Sequence, residues 1–545
     1  MLKKFVSILL ILAVFCTCFC ACGDDDDTAM VMPIKSDPLC LDPQVVETDS
    51  GKIICTNLYE GLVRYDESFK IVPGVAESWD ISADGLTYTF HLRKDSKWQL
   101  LNSYKDVLPD ENYKKTFDNR VTAQDFVFGI SRAINPATQC NDAEKFSCIK
   151  NAEAIYNGEA TLDSLGISAS DDTTLTITLE RANPDFLRLL TLPAAMPCKE
   201  AFFKETHAKY GLQVKYTFCN GPYYLSTWAD DNSLILIRNE GYKGNSKVKP
   251  VYLYFYVNTD DESIVKKFKQ QSYSCAYIPD TLYGEIADSK NITLLTADNT
   301  VSGLCFNCKD DILINENIRK ALVRITKFSE IEKPATADKA AEGIVPDCCR
   351  FGEKSYREAA GKIPVTAYNE TEALKLWQKG LKEIGTDSLP VKIICTDEYT
   401  SQMQKIIQNW QIQLSTSIIA KVETLSKEDF DKAMLNGNYQ IAVGTISTDS
   451  STAVDILKKF RSDSNANVFY YNNEKYDKLT DEIILKASGD DILAKYRAAE
   501  RMLIDDAVFC PLFTYSEYIA VNSDIKGLFA TPAFEGIVFL NGGES

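Results

Sequence analysis

Two histidines, seventeen cysteines and a surplus of carboxylates are the residues in this chain that could do chemistry. Proton transfer near neutral pH draws first on histidine, whose ordinary pKa lies closest to it. His91 falls on the polar side of an alternating run, and His207 lies in the charged stretch from Lys204 to Lys209. Neither stands beside a recognisable nucleophile, and no HExxH, GxSxG, P-loop or GxGxxG pattern occurs. Carboxylate pairs abound without a spacing that fixes their geometry. The residues therefore argue against an enzyme, and no catalytic residue is expected.

The cysteines are read the same way. Cys305 and Cys308 have the spacing of half a zinc site, but no second pair with knuckle spacing appears, and the adjacent Cys348 and Cys349 do not supply one. No metal site and no cofactor are expected. Four cysteines lie within positions 16–22, which leaves thirteen, an odd number that cannot pair completely within one chain. Exported proteins tolerate disulfides. Free thiols at this density point to a reducing habitat and to cysteine used as a small buried hydrophobe.

The elements that position such residues begin with an address. Lys3 and Lys4 precede an apolar run from Phe5 to Phe15, the pattern of a signal peptide. Phe19-Cys20-Ala21-Cys22 resembles a lipobox with Cys22 as the lipidated residue, and Gly23 with Asp24 to Asp27 makes a charged tether. Acyl chains on Cys22 would hold the product at the membrane. The remaining chain, 45% hydrophobic within 545 residues, has room for about two to four domains. A net charge of −18 disfavours nucleic acid and suits cationic ligands.

Asp84-Gly85 reverses the chain between two strands. After it Leu86, Tyr88, Phe90 and Leu92 alternate with Thr87, Thr89, His91 and Arg93, which predicts a half-buried hairpin. Residues 53–62 are expected to be helical. Thr122 is expected to cap a helix, with Asp125 as its capping-box partner. Residues 99–120 read as a polar insertion. Beyond residue 260 strands alternate with helices, which argues for an α/β lobe with a mixed sheet.

The wording of these segments resembles a known family. Tyr59-Glu60-Gly61-Leu62, Pro73 to Trp79, Asp84 to Arg93, Trp98 and Val121 to Arg132 follow in order the signature of peptide-binding lipoproteins that feed ABC importers, the extracellular solute-binding proteins of family 5. Leu41-Asp42-Pro43, Asn220-Gly221-Pro222-Tyr223 and residues 301–307 fit the same pattern.

The resemblance implies an α/β fold of periplasmic-binding-protein type II, cluster C, with two mixed-sheet lobes around a cleft and an accessory lobe. Lobe I would comprise 29–59, 166–262 and 511–545, lobe II 60–165 and lobe III 263–510. Nickel, bound by some relatives, is disfavoured by the scarcity of histidine. Ligand contacts are carried over by position. Asp449 stands where the family's aspartate receives the ligand's amino terminus, although Ile446, Ser450 and Thr452-Ala453 depart from the pattern around it. Glu47, Thr48 and Asp49 align with the loop that lines the cleft from the first lobe. Ser447 would offer backbone groups from the opposite lobe, and Tyr515 an aromatic wall.

The implied function is capture of peptides, oligopeptides first among them, by a monomeric, membrane-anchored extracytoplasmic protein. Its lobes close on a hinge and deliver the peptide to permease subunits, whose ATPases supply the energy. A sensor of the same fold that binds one defined ligand is the alternative, and a secreted hydrolase the remotest reading.

Overall fold

The structure is a computed structural model that describes residues 29–544 apart from 184, 245–247, 288, 335–336, 353, 449–451, 486–490, 532–535 and 540–542. The expected leader with Cys22, the tether 23–28 and Asp449 lie outside the described residues. No described helix is long and apolar enough to cross a membrane.

The predicted hairpin forms from Ala76–Ile81 and Thr87–Leu92, with Trp79 opposite Phe90 and Ile81 opposite Tyr88. Its turn is chemically specified. Gly85 takes a φ of 70°, a conformation that costs other residues a clash at Cβ, and Asp84 accepts the Leu86 N–H at 3.0 Å. Tyr88, Phe90 and Leu92 are buried, as their alternation requires.

The hairpin is half of a four-stranded antiparallel sheet completed by Thr174–Thr178 and Ile167–Asp171. Phe90 pairs with Leu175, so residues 167–178, beyond the expected seam at 165/166, pair with the accessory hairpin. A second four-stranded sheet orders Ala29–Ile34, Tyr252–Val257, Ser233–Arg238 and Tyr223–Ala229, its first pair parallel and the others antiparallel. One continuous apolar core joins these two sheets, from Met32 and Phe255 through Phe186 to Phe90 and Phe126. The first and accessory lobes are therefore packed as one body.

The third sheet has seven strands and forms the core of the other lobe. Its main order is Cys275–Ile278, Phe509–Asn522, Ile292–Phe306, Ile441–Ser447, Leu389–Cys395 and Ile418–Thr424, with Lys339–Ala340 paired to the second of these. Parallel and antiparallel pairs mix, as expected for this region. One core lies on each face: Leu304, Ile393 and Ile441 on one, Cys305, Ile394 and Ala442 on the other.

Two long strands, Ile292–Phe306 and Phe509–Asn522, run through both bodies. Ala297, Ile519 and Val521 enter the first core, while Leu304, Cys510 and Phe513 enter the second. Their pairing shifts register between Ala297 and Thr300, at the point of passage. Such a bulge bends a ladder. The strand Cys275–Ile278 pairs with the first-lobe half of Phe509–Asn522, and the seam 510/511 would cut that strand near its start.

Ten of the thirteen described cysteines are buried and all thirteen are free thiols. Burial pushes Cys198 up to about 12, so it packs as a neutral side chain.

Candidate functional site

The site is built where the two long strands cross. Thr300 is paired with Ser447 on one side and Tyr515 on the other. Residues directly opposed in antiparallel strands project to the same face, so three polar side chains stand abreast. Two residues further along, Ser302 opposes Thr445 on that face, and beyond them Leu304 and Val443 enter the core. The face thus changes from apolar to hydroxyl-lined as it reaches the gap between the lobes. Ser447 and Thr445 are exposed there, and the Ser447 carbonyl accepts Lys459 Nζ at 2.7 Å. Tyr515 shares a hydrogen bond between hydroxyls with Tyr399, whose own hydroxyl is held neutral by burial and by Tyr515 beside it.

The facing wall comes from the first lobe. Thr48 caps the helix Asp49–Leu58 by accepting the Gly51 N–H at 3.1 Å, so the helix begins four residues earlier than the apolar pattern suggests. Glu47 and Asp49 flank the cap and are exposed. Thr48→Ala is expected to destabilise this helix by about 1 kcal/mol. Urea unfolding should register that loss, with Thr48→Ser close to wild type; an unaltered alanine variant would show that the cap does not matter.

Asp49 is brought to a group that sequence reasoning missed. Glu517, on Phe509–Asn522, is open to water yet walled by protein, the situation of a side chain in a cleft. Burial raises its carboxyl pKa, a hydrogen bond from Asn299 pulls it back, and the charge of Asp49 raises it further. Tyr277 lies beside both carboxylates, and burial with their charges pushes its hydroxyl up. The gap is therefore hydroxyl-lined on one side and acidic on the other. One sequence signal for it existed: Thr445 and Ser447 interrupt the otherwise apolar strand Ile441–Ser447.

Asp449 is not placed, but its flanks are. The Thr448 N–H donates to the Asn299 carbonyl at 3.1 Å, and Thr452 bridges to Arg350. Both flanks are thus tied to the large-sheet lobe. A polar hollow of about 420 Å³ lined by Asn307, Lys309, Lys392, Gln440 and Tyr470 sits at the other end of the large sheet. At about 3.4 Å per residue, Asn307 is roughly 24 Å along the strand from Thr300. That hollow is remote from the cleft.

Comparison with known proteins follows the same line. Bacterial extracellular solute-binding proteins, family 5, match the chain over residues 70–468. The dipeptide-binding protein DppE of Bacillus subtilis (strain 168) is 26% identical over 509 residues, covering 91% of this chain and 89% of that one. The periplasmic murein peptide-binding protein MppA of Escherichia coli (strain K12) is 25% identical over 522 residues, covering 91% and 90%. Among solved structures, MppA in its unliganded open form superposes with a TM-score of 0.74 at 23% identity, covering 95% of this chain and 98% of that one. Listeria monocytogenes OppA bound to peptide gives 0.69 at 24% identity, covering 96% and 100%. The fold is the type II periplasmic-binding-protein fold expected from the sequence.

Proposed function

Because the chain belongs to the bacterial extracellular solute-binding proteins of family 5, we propose that it captures peptides between its lobes and delivers them to the permease of an ABC importer. The observation that carries this reading is the gap itself, hydroxyl-lined by Thr300, Thr445, Ser447 and Tyr515 and acidic at Asp49 and Glu517. A peptide offers an ammonium, a carboxylate and a line of amides. A receptor for many sequences binds these constants and leaves side chains in wet, permissive space. Hydroxyls and strand backbone suit the amides, and carboxylates suit the ammonium. Relatives named for dipeptide and murein peptide binding support the same ligand class.

Asp449 is the proposed partner of the ligand's amino terminus. Glu47, Thr48 and Asp49 line the first-lobe side, with Ser447 and Tyr515 opposite. A charge-assisted contact of this kind contributes about 1.5–3 kcal/mol. Asp449→Ala should therefore weaken binding of free-amine peptides about tenfold or more, and should leave amino-acetylated peptides less affected. Calorimetry with a matched pair of tripeptides measures both, and equal affinities of wild type and variant for the free amine sink the assignment. The wider proposal includes extracytoplasmic residence with a lipid anchor on Cys22. Native mass spectrometry of the purified protein tests the ligand class directly. Mixed bound peptides support it; one defined non-peptide ligand, or peptide turnover, overturns it.

A further inference from the structure

The polar hollow at the far end of the large sheet has a floor pinned by hydrogen bonds. Asn307 is buried, donates to the Gly437 and Tyr439 carbonyls at 3.1 and 2.8 Å, and accepts the Lys309 N–H at 3.0 Å. Gln440 accepts the Lys392 N–H at 2.8 Å. Asp310 Oδ1 accepts the Ile312 and Leu313 N–H groups, both at 3.0 Å. These bonds hold the chain around the ends of Ile292–Phe306 and Ile441–Ser447, with Leu389–Cys395 beside them, about one opening.

One wall is held in an uncommon conformation. Tyr470 has a φ of 53°, which aromatic residues rarely adopt and which is found most often at functional sites. Gly437, at a φ of 68°, makes room for it, since a Cβ there would come within 2.5 Å of the Tyr470 hydroxyl. The core is served by the neighbouring Phe469, which stacks on Phe460 at 4.6 Å, while Tyr470 stays half-buried. Among the described residues the Tyr470 hydroxyl has no hydrogen-bond partner, and Lys309 Nζ stands over the ring, 5.4 Å from its centre. Asp311, Asn436 and Asn438 are exposed at the rim, their side-chain polar atoms likewise unengaged among the described residues.

Charges of both signs line the hollow. Lys392 is held by Glu423 at 2.9 Å and Asp310 by its two backbone N–H groups, which leaves Lys309 against Asp311. An ion of either sign would meet one attractive and one repulsive charge. An uncharged ligand rich in hydroxyls escapes that conflict, because each hydroxyl both donates and accepts, and carboxamides offer the same two roles side by side. An aromatic ring takes the C–H face of a sugar. The volume of about 420 Å³ lies in the range of small-molecule sites. We propose that the hollow is a saccharide-binding site, with Tyr470 as the platform and Asp311, Asn436 and Asn438 as partners of the sugar hydroxyls. It lies roughly 24 Å along the strand from Thr300 and stands independently of the peptide reading of the cleft.

Saturation-transfer NMR on the purified protein tests this, with the methyl glycosides of glucose, galactose and N-acetylglucosamine as probes. At least one glycoside is expected to receive saturation, and the signal to fall severalfold in Tyr470→Ala and in Asn438→Ala. Asn438 is exposed, so its variant carries the test if Tyr470→Ala fails to fold. Tripeptide affinity measured by calorimetry should be the same in both variants as in wild type. No saturation of any glycoside, or saturation that persists in both variants, overturns the site. Free alanine serves as a zwitterionic probe, and transfer to alanine without transfer to the glycosides overturns the saccharide reading in favour of an amino-acid site. A glycoside signal abolished by added tripeptide would place the sugar in the cleft and overturn the proposal as well. Absence of peptide binding with a glycoside signal that depends on Tyr470 rejects the peptide cleft alone.

Discussion

Replacing Glu500 by alanine is expected to lower the stability of the large-sheet lobe by about 3–5 kcal/mol, the loss typical of a buried charge stripped of its partner. Glu500 is fully buried. Its carboxylate accepts four donors: the Ile344 N–H at 2.6 Å, the Val345 N–H at 3.1 Å, Tyr356 OH at 3.0 Å and Arg357 Nη2 at 2.9 Å. Removing it leaves two backbone N–H groups, a phenol and a guanidinium without their acceptor in a low-dielectric core. Water has no ready way in, because the backbone of Gly343 lies against the pair; a Cβ there would come within 2.3 Å of Glu500 Oε1.

Urea unfolding monitored by lobe is the measurement, since a chain whose two bodies have separate cores need not unfold in one step. The transition of the large-sheet lobe should shift and that of the other body should not. Arg357→Ala should shift the same transition, and the double variant should lose less than the two single losses combined, because each single change strands the other partner. Additive losses, or an alanine variant as stable as wild type, would remove the network from the account of this lobe.

How much of this could be read beforehand depends on how far apart in sequence the partners are. The hairpin turn at Asp84-Gly85 and the capping box of Thr122 and Asp125 were legible because partners lie within a few residues. The insertion 99–120 reads as polar, and its anchor is not apparent from the sequence. Its Tyr104 is fully buried, donates to the Thr217 carbonyl at 2.7 Å and packs edge-on against Phe202 and Phe218. Only the first few residues of the strand Phe509–Asn522 look like a core strand, and the polar half of Ile292–Phe306 gives no buried pattern. Both strands extend through pairing with each other, which no local pattern announces. The cleft was legible on one side, through the loop around Glu47 to Asp49. Glu517 acquires its chemistry from burial and from Asp49, hundreds of residues away, and has no local signature.

The signature segments themselves repay the same physical reading, and they lead to the second large effect. Asp42 of the Leu-Asp-Pro segment pairs with Arg132 at the end of the Val121 to Arg132 segment. Trp98 Nε1 donates to Asp125 Oδ2 at 3.0 Å. Glu60 of the Tyr-Glu-Gly-Leu segment binds Arg93 of the hairpin at 2.6 Å and accepts Tyr242 OH at 2.6 Å, while Asn220 brackets the Glu60 backbone at 3.1 and 2.9 Å. These motifs complete one another, and the knots they tie fasten the first lobe to the accessory lobe.

Glu60→Ala should therefore destabilise the joined body by about 3–5 kcal/mol, stranding Arg93 and Tyr242 in the interior. Exchanging Glu60 and Arg93 together for apolar residues of similar volume should recover most of that loss, since a buried pair often breaks even against good packing. At temperatures where Glu60→Ala stays folded, its peptide affinity should equal that of wild type, because Glu60 is buried and its carboxylate is taken up by Arg93 and Tyr242. Denaturation followed by calorimetry on the same sample reads both. Lost affinity in a fully folded Glu60→Ala protein would place the family signature at the ligand, whereas the geometry assigns it to the frame that holds the cleft in shape.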